Sequence, residues 1–268
     1  ASNVAADTEV LIYTAAVKAD NPELVAATEM NIPLLTRAEF LGQIMKNYHT
    51  AIGVSGTHGK TTTTSMLSQI MLEANTDHNI LVGGIMPAIN GNTRIGHSDN
   101  MITEACEYTN SFLSFAPTIG IILNVAADHL DFFKDLDDIR HSFRRYAELI
   151  PEDGALVINS DIDNIDYFTE GLKCNIITVG SDPENSMYSA ANITYDEFAR
   201  GSYDLVVNGE TKTHIVLKVT GEHNIYNSLA SIAAAHFMGI DDNSIIAGLQ
   251  QYGGTDRRFQ YKGKLGDI

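Results

Sequence analysis

The chain has 268 residues, 44% of them hydrophobic, and a formal charge of −17 from 17 basic against 34 acidic side chains. That length fits one large or two modest domains with a sizeable core. The excess acid excludes general nucleic-acid binding, because nothing here would neutralise a phosphate backbone, but it leaves room for a local pocket of backbone N–H groups and one or two cations.

Cys106 and Cys174 form no CxxC pair, which fits a reducing compartment and rules out a disulfide framework. No apolar run reaches the ~18–20 residues of a bilayer span. The first residues, ASNV, show neither the basic start nor the apolar stretch of a signal peptide. A cytoplasmic protein without membrane insertion is expected.

Residues 9–14 (EVLIYT) read as a short buried strand, Pro22 opens a helix through Glu29, and 32–35 read as a second strand. Thr36 and Glu39 have the spacing of a capping box at the head of a helix to about Tyr48. Strand–helix–strand–helix is the texture of a parallel α/β sheet, yet these residues are too few to close one. They are expected to be the end of a domain that starts upstream.

A second α/β series follows. A strand at 50–55 precedes a helix at 60–74 with Met66, Leu67, Ile70, Met71 and Ala74 on one face. Further strands are predicted at 101–104, 118–123, 155–159 and 176–179, with a helix from about Leu136 to Ile150 stopped by Pro151. From 191 to 219 the period switches to two, with Asn208-Gly209 as a hairpin turn. Helices at about 224–238 and 244–252 lead to GGTDRRF at 253–259.

The loop GTHGKT at 56–61 carries the strongest chemical signal. A glycine-rich turn from strand into helix points successive N–H groups inward at the positive end of the helix dipole. Lys60 can reach β- and γ-phosphates, and the Thr61 hydroxyl can ligate Mg²⁺. The P-loop pattern wants glycine five positions before Gly59, and that position is Val54, flanked by Gly53 and Gly56. An ordinary strand-to-helix turn is the bland alternative; the Lys-Thr pair favours phosphate binding.

The threonine-rich GTHGKTTTT at 56–64 resembles the nucleotide loop of the Mur ligases, the amide-forming enzymes of peptidoglycan synthesis. Other segments match in order: YTAAVKADNPEL at 13–24, ITEACEYTNSFL at 102–113, NVAADHLD at 124–131, GEHNIYN at 221–227 and GTDRRF at 254–259. The resemblance covers essentially the whole chain. It implies a central P-loop-type, mostly parallel sheet with flanking helices and a small antiparallel β section, preceded by part of a Rossmann-like domain. The boundaries expected are 1–48 for the end of the UDP-sugar domain, 49–260 for the ATP-binding domain, and 261–268 for the start of a linker to a further domain.

The same resemblance assigns residues. Gly56, Thr57, His58, Gly59, Lys60, Thr61 and Thr62 form the ATP loop, and Thr61, Glu104 and His129 are the Mg²⁺ set. His223 and Asn227, four apart on one helix face, are implied to contact adenine and its surroundings. Arg258 is implied to reach the γ-phosphate, so that Lys60, His129 and Arg258 act on the transferring phosphoryl group. From the residues alone alternatives stay open: a solvated charge at Glu104, a histidine capped by Asp128 or Asp131, and a helix-capping cluster of His223, Asn224 and Asn227. Glu107 is a nearby carboxylate to which the resemblance gives no role.

Relatives carry a carbamylated lysine about fifteen residues after the histidine; the corresponding position here is Arg144, which suggests the subgroup that couples L-alanine to UDP-N-acetylmuramate. A ligase that attaches an intact tripeptide to the same UDP-sugar shares these motifs. A folylpolyglutamate synthase is more distant, and a non-catalytic nucleotide-binding module or a simple NTPase switch are the rivals from other classes. The 268 residues are expected to bind Mg-nucleotide without forming the amide by themselves. Oligomeric state has no sequence signal.

Overall fold

A computed structural model describes residues 2–255. The chain opens with β1 (Leu11–Tyr13), α1 (Pro22–Glu29), β2 (Leu34–Thr36) and α2 (Arg37–Met45), in which β1 and β2 pair in parallel as a two-stranded sheet. Thr36 and Glu39 form the predicted capping box: Thr36 Oγ1 accepts from the Glu39 N–H, and the Glu39 carboxylate accepts from the Thr36 N–H at 2.7 Å. The helix stops at Met45, short of Tyr48, and packs Met45 and Ile44 onto the larger unit that follows.

That unit comprises β3 (Thr50–Ser55), α3 (Lys60–Glu73), β4 (Asn79–Met86), β5 (Gly91–Arg94), β6 (Asn100–Glu104), β7 (Ile119–Ile122), α4 (Leu136–Ala147), β8 (Ala155–Asn159), α5 (Asp166–Thr169), β9 (Asn175–Val179), β10 (Tyr188–Tyr195), β11 (Arg200–Val207), β12 (Glu210–Thr220), α6 (His223–Phe237) and α7 (Asp242–Gln251). Its ten strands form one sheet in the order β12-β11-β10-β9-β8-β7-β3-β6-β4-β5. The run from β10 to β12 is antiparallel as expected, and it extends the parallel sheet through β9 rather than standing apart. Asn208 and Gly209 both take positive φ, 50° and 78°, as a two-residue hairpin turn requires.

Strand alternation divides the interior. Ile52, Val54, Ile119, Ile121 and Val157 face one core with α3, α6 and α7, whereas Ala51, Ile122, Leu156 and Ile158 face the other with α4 and α5. Both faces of the central strands are covered, which is why they read as continuous apolar runs. Gly53 leaves the space that the Tyr146 hydroxyl occupies, and that hydroxyl donates to Gly53 O at 2.8 Å.

β4 and β5 have no counterpart in the sequence reading. Gly83 and Gly84 interrupt the apolar run of β4, and β5 is short and polar.

Candidate nucleotide-phosphate site

β3 runs through Ser55, so Val54 is a fully buried core residue and the turn begins at Gly56. This explains the departure from the P-loop pattern: Gly53 belongs to the packing under the strand, not to the loop. Gly56 (φ 139°) and Gly59 (φ 90°) both adopt backbone conformations that L side chains rarely take. A Cβ on Gly56 would approach Leu123 Cβ to 2.9 Å, and one on Gly59 would approach Asn227 Oδ1 to 2.6 Å. Gly59 is the N-cap of the 14-residue α3 and supplies no side-chain cap. The first N–H groups of a helix lack intrahelical partners, so an uncapped start in a glycine turn is a ready anion cradle.

The loop is held from the side by the segment after β7. Leu123 N–H donates to Ser55 O and Thr57 N–H to Asn124 O, both at 3.1 Å. The Asn124 side chain closes on His58 in both directions, accepting from His58 N–H at 2.8 Å and donating to His58 O at 3.0 Å. Thr57 Oγ1 accepts from Ala126 N–H at 2.9 Å. Asn124 opens the NVAADHLD segment. Its role depends on β7 being the neighbour of β3, which spacing does not reveal.

Lys60 Nζ donates to Gly56 O at 2.6 Å, to Thr57 O at 3.3 Å, and to both carboxylate oxygens of Glu107 at 3.1 and 2.9 Å. Glu107, the carboxylate without an assigned role, is 2% exposed and is the ion-pair partner of Lys60. Thr61 is buried in the first turn of α3, and Thr62 lines the adjoining cleft.

Glu104 ends β6 in register with Val54 of β3. Its Oε1 accepts from Gly83 N–H at 2.5 Å, where a Cβ on residue 83 would meet the carboxylate. Its carboxylate is thus half-buried and anchored to the neighbouring strand through one oxygen. His129 (φ 51°) is 35% exposed and does not enter an apolar core. Its Nε2 lies 3.9 Å from Glu107 Oε1, and its ring sits 4.6 Å from that of Tyr108. Asp128 Oδ1 accepts from the backbone N–H of His129 and stands 4.0 Å from its Nδ1, whereas Asp131 accepts from Tyr108. β3 stands between β6 and β7, so the segments bearing Glu104 and His129 flank the loop from either side. Among the described residues, no group of three or more His, Cys, Asp or Glu side chains gathers as a metal cluster.

His223 and Asn227 share a face of α6, and with His58 and Gly59 they border two clefts of about 750 and 310 Å³. Asn227 is buried behind Gly59 and donates to Asn224 Oδ1 at 3.0 Å, while Asn224 donates to Thr220 O. The N-cap residue of α6, Glu222, makes no side-chain cap, and Asn224 and Asn227 form a polar cluster at the start of the helix beside the clefts. Arg200 and Lys218, from adjacent strands β11 and β12, also line the larger cleft, and nothing in their spacing ties them to Lys60, 140 and 158 residues upstream. Thr255 anchors the GGT segment by donating to Ser65 Oγ on α3 at 3.0 Å. Arg257 and Arg258 lie outside the described residues. Arg144 is engaged by Glu148 at 2.8 Å and by Tyr167 O.

The sheet order, the glycine turn after β3 and the uncapped helix behind it define an α/β protein of the P-loop type. Residues 54–235 match the Mur ligase middle domain and residues 1–49 the Mur ligase family catalytic domain. The chain belongs to the Mur ligase family. It is 56% identical over its whole length to a UDP-N-acetylmuramate–L-alanine ligase of Lachnospira eligens and 52% identical to one of Agathobacter rectalis, covering 58% of each. The chain thus spans a little over half the length of these curated relatives.

Among solved structures, the UDP-N-acetylmuramate–alanine ligase of Thermotoga maritima superposes with a TM-score of 0.84 at 26% identity, over 99% of this chain and 60% of that one. A ligase of Neisseria that joins UDP-N-acetylmuramate to L-alanyl-γ-D-glutamyl-meso-diaminopimelate gives 0.82 at 25% identity, over 93% and 80%.

Proposed function

We propose that this chain carries the ATP-binding unit of an ATP-dependent, amide-forming ligase that joins L-alanine to UDP-N-acetylmuramate in peptidoglycan precursor synthesis in the cytoplasm. The observation that supports it most is the loop itself. Two left-handed glycines, an uncapped helix start and a lysine at the turn stand together in a chain of this family. The choice of L-alanine rests on relatives above 50% identity that bear that name. Among the described residues, no helix is long and apolar enough to cross a membrane.

In the reaction so proposed, a carboxylate oxygen of the UDP-sugar attacks the γ-phosphorus of ATP, the bond to the β-phosphate oxygen breaks, and ADP leaves. The amine then attacks the acyl carbon and displaces phosphate. Backbone N–H groups at Gly59 to Thr62 orient the phosphates, and Lys60 with Arg258 offsets charge on the transferring group. Thr61 and Glu104 are hard oxygen donors that suit Mg²⁺, with His129 facing the same loop. The bound cation would neutralise charge on the phosphate oxygens. His223 and Asn227 border the clefts in which the base and ribose would lie. The domain division at residues 48/49 is part of this proposal.

The test is Lys60→Ala, titrated calorimetrically with Mg²⁺ and a non-hydrolysable ATP analogue. Losing one charge-assisted contact worth roughly 1.5–3 kcal/mol should weaken binding at least tenfold. Unchanged affinity in a folded variant refutes the assignment. On the full product of the gene, ADP release with UDP-N-acetylmuramate and L-alanine, against the tripeptide, decides the amine.

A further inference from the structure

Lys60 has three ammonium protons, and the protein engages all of them. Gly56 O and Thr57 O take Nζ from the loop side, and Glu107 takes it with both oxygens from the other. The ion pair is the more demanding of these contacts. Glu107 is 2% exposed and the Lys60 side chain 15%, so little water screens the pair, and losing either charge strands the other.

Glu107 is fixed in place rather than swinging freely. The turn that follows it carries two left-handed residues, Thr109 and Asn110, and Asn110 N–H donates to Glu107 O at 2.9 Å. Asn110 is tied to α4 through the Ser142 hydroxyl. Tyr108 lies against the His129 ring and donates to Asp131 at 2.8 Å, which laces this turn to the turn bearing His129. The same Glu107 carboxylate therefore contacts Lys60 directly and stands 3.9 Å from His129 Nε2.

A nucleotide phosphate chain needs the ammonium that Glu107 holds. We propose that Glu107 is a positioning residue for Lys60, an internal anion with which the nucleotide must compete, so that the strength of phosphate binding is set by an exchange of Lys60 between carboxylate and phosphate. This rests on the nucleotide-loop reading above. Removing the carboxylate charge should tighten nucleotide binding, because phosphate then meets an ammonium with no anionic rival and no anion of like sign behind it. A residue serving only to hold the loop together would act in the opposite sense: its loss would loosen the cradle and weaken binding.

The test is a cycle of Glu107→Gln, Lys60→Ala and the double variant, each titrated with Mg-ADP. Glu107→Gln is expected to lower Kd about five- to tenfold. In the Lys60→Ala background the same change should lower Kd by a clearly smaller factor, because only relief of like-charge repulsion remains and the competition for Lys60 is gone. In turnover by the full gene product, Glu107→Gln should lower KM for ATP. If Glu107→Gln is not folded, Glu107→Met, of similar volume and no charge, carries the same expectation. Weakening of Kd by either neutral variant, or no change while Lys60→Ala does weaken it, overturns this proposal and leaves the loop reading standing. No effect of Lys60→Ala refutes the loop reading itself.

Discussion

Placing a methyl group on Gly59 tests the geometry of the cradle without touching a charge. At φ 90° a residue with a Cβ sits in a region that costs roughly 1–2 kcal/mol for an L-amino acid. The added Cβ would also stand 2.6 Å from Asn227 Oδ1 and 3.0 Å from Leu123 Cδ1. The leucine methyl can turn aside. Asn227 cannot easily do so, since it is buried and bonded to Asn224. Overpacking of this kind costs about 1–3 kcal/mol, so Gly59→Ala should destabilise the chain by roughly 2–5 kcal/mol. The two contributions separate in a cycle with Asn227→Ala, which removes the obstructing amide. In that background Gly59→Ala should cost only the backbone part, roughly 1–2 kcal/mol. Urea denaturation of the four proteins measures the coupling, and the shift in midpoint with Mg-ADP reports on the cradle. Equal cost in both backgrounds, or a total below about 1 kcal/mol, would show that Asn227 does not back the loop as described.

Three further outcomes follow from the same arrangement. Asn124→Ala removes both side-chain bonds to His58 and should cost about 1–3 kcal/mol by urea titration, with weaker Mg-ADP binding, because the loop then loses its two-way clamp at His58. In crystals grown with Mn²⁺ and an ATP analogue, anomalous density is expected about 2.0–2.3 Å from Glu104 Oε2, the oxygen not used by Gly83; density confined to other carboxylates would remove Glu104 from the metal set. Burial pushes the pKa of His78 down from 6.5 to about 3. The unfolded chain therefore binds the extra proton first, and stability should fall as pH drops from about 6.5 towards 3, a limb that flattens in His78→Asn.

What the sequence shows about this protein is what periodicity and turn chemistry encode. The capping box at Thr36, the Asn208-Gly209 hairpin and the buried strands 50–55 and 155–159 are local statements, and they are found where local rules put them. β4 escaped because two glycines interrupt its apolar run, and one of them serves a distant partner: Gly83 is bare so that the Glu104 carboxylate can reach the strand backbone. Glu107 escaped for a related reason. β6 ends at Glu104 and the chain then leaves the strand, so alternation cannot be carried three residues further to say where that side chain points. Asn124, Arg200 and Lys218 become site residues only once the strand order is known.

That strand order accounts for the location of the site. From β3 the chain passes over β6 to β4, returns through β6, and then crosses to the other side of β3 to continue through β7, β8 and β9. The reversal sends α3 to one face of the sheet, with Met66 and Ile70 in one core, and α4 to the other, with Phe143 and Tyr146 in the second core. A crevice is left at the carboxyl ends of the strands where the two connections part, which is where ligands enter open parallel sheets. The loop from β3 fills one lip of this crevice and Asn124 to Ala126 from β7 the other, and their mutual hydrogen bonds close its floor. Glu104 and Glu107 arrive from the β6 side and His129 from the β7 side. Residues separated by up to 73 positions, from Gly56 to His129, thus converge because one reversal of strand order brings both flanks to the same edge of a single glycine turn. A substitution that perturbs the β3–β7 pairing should therefore impair the loop, His129 and nucleotide binding together, whereas one confined to the β10–β12 hairpins should reach the site only through the residues they place in the larger cleft, Arg200, Lys218, Val219 and Thr220 among them.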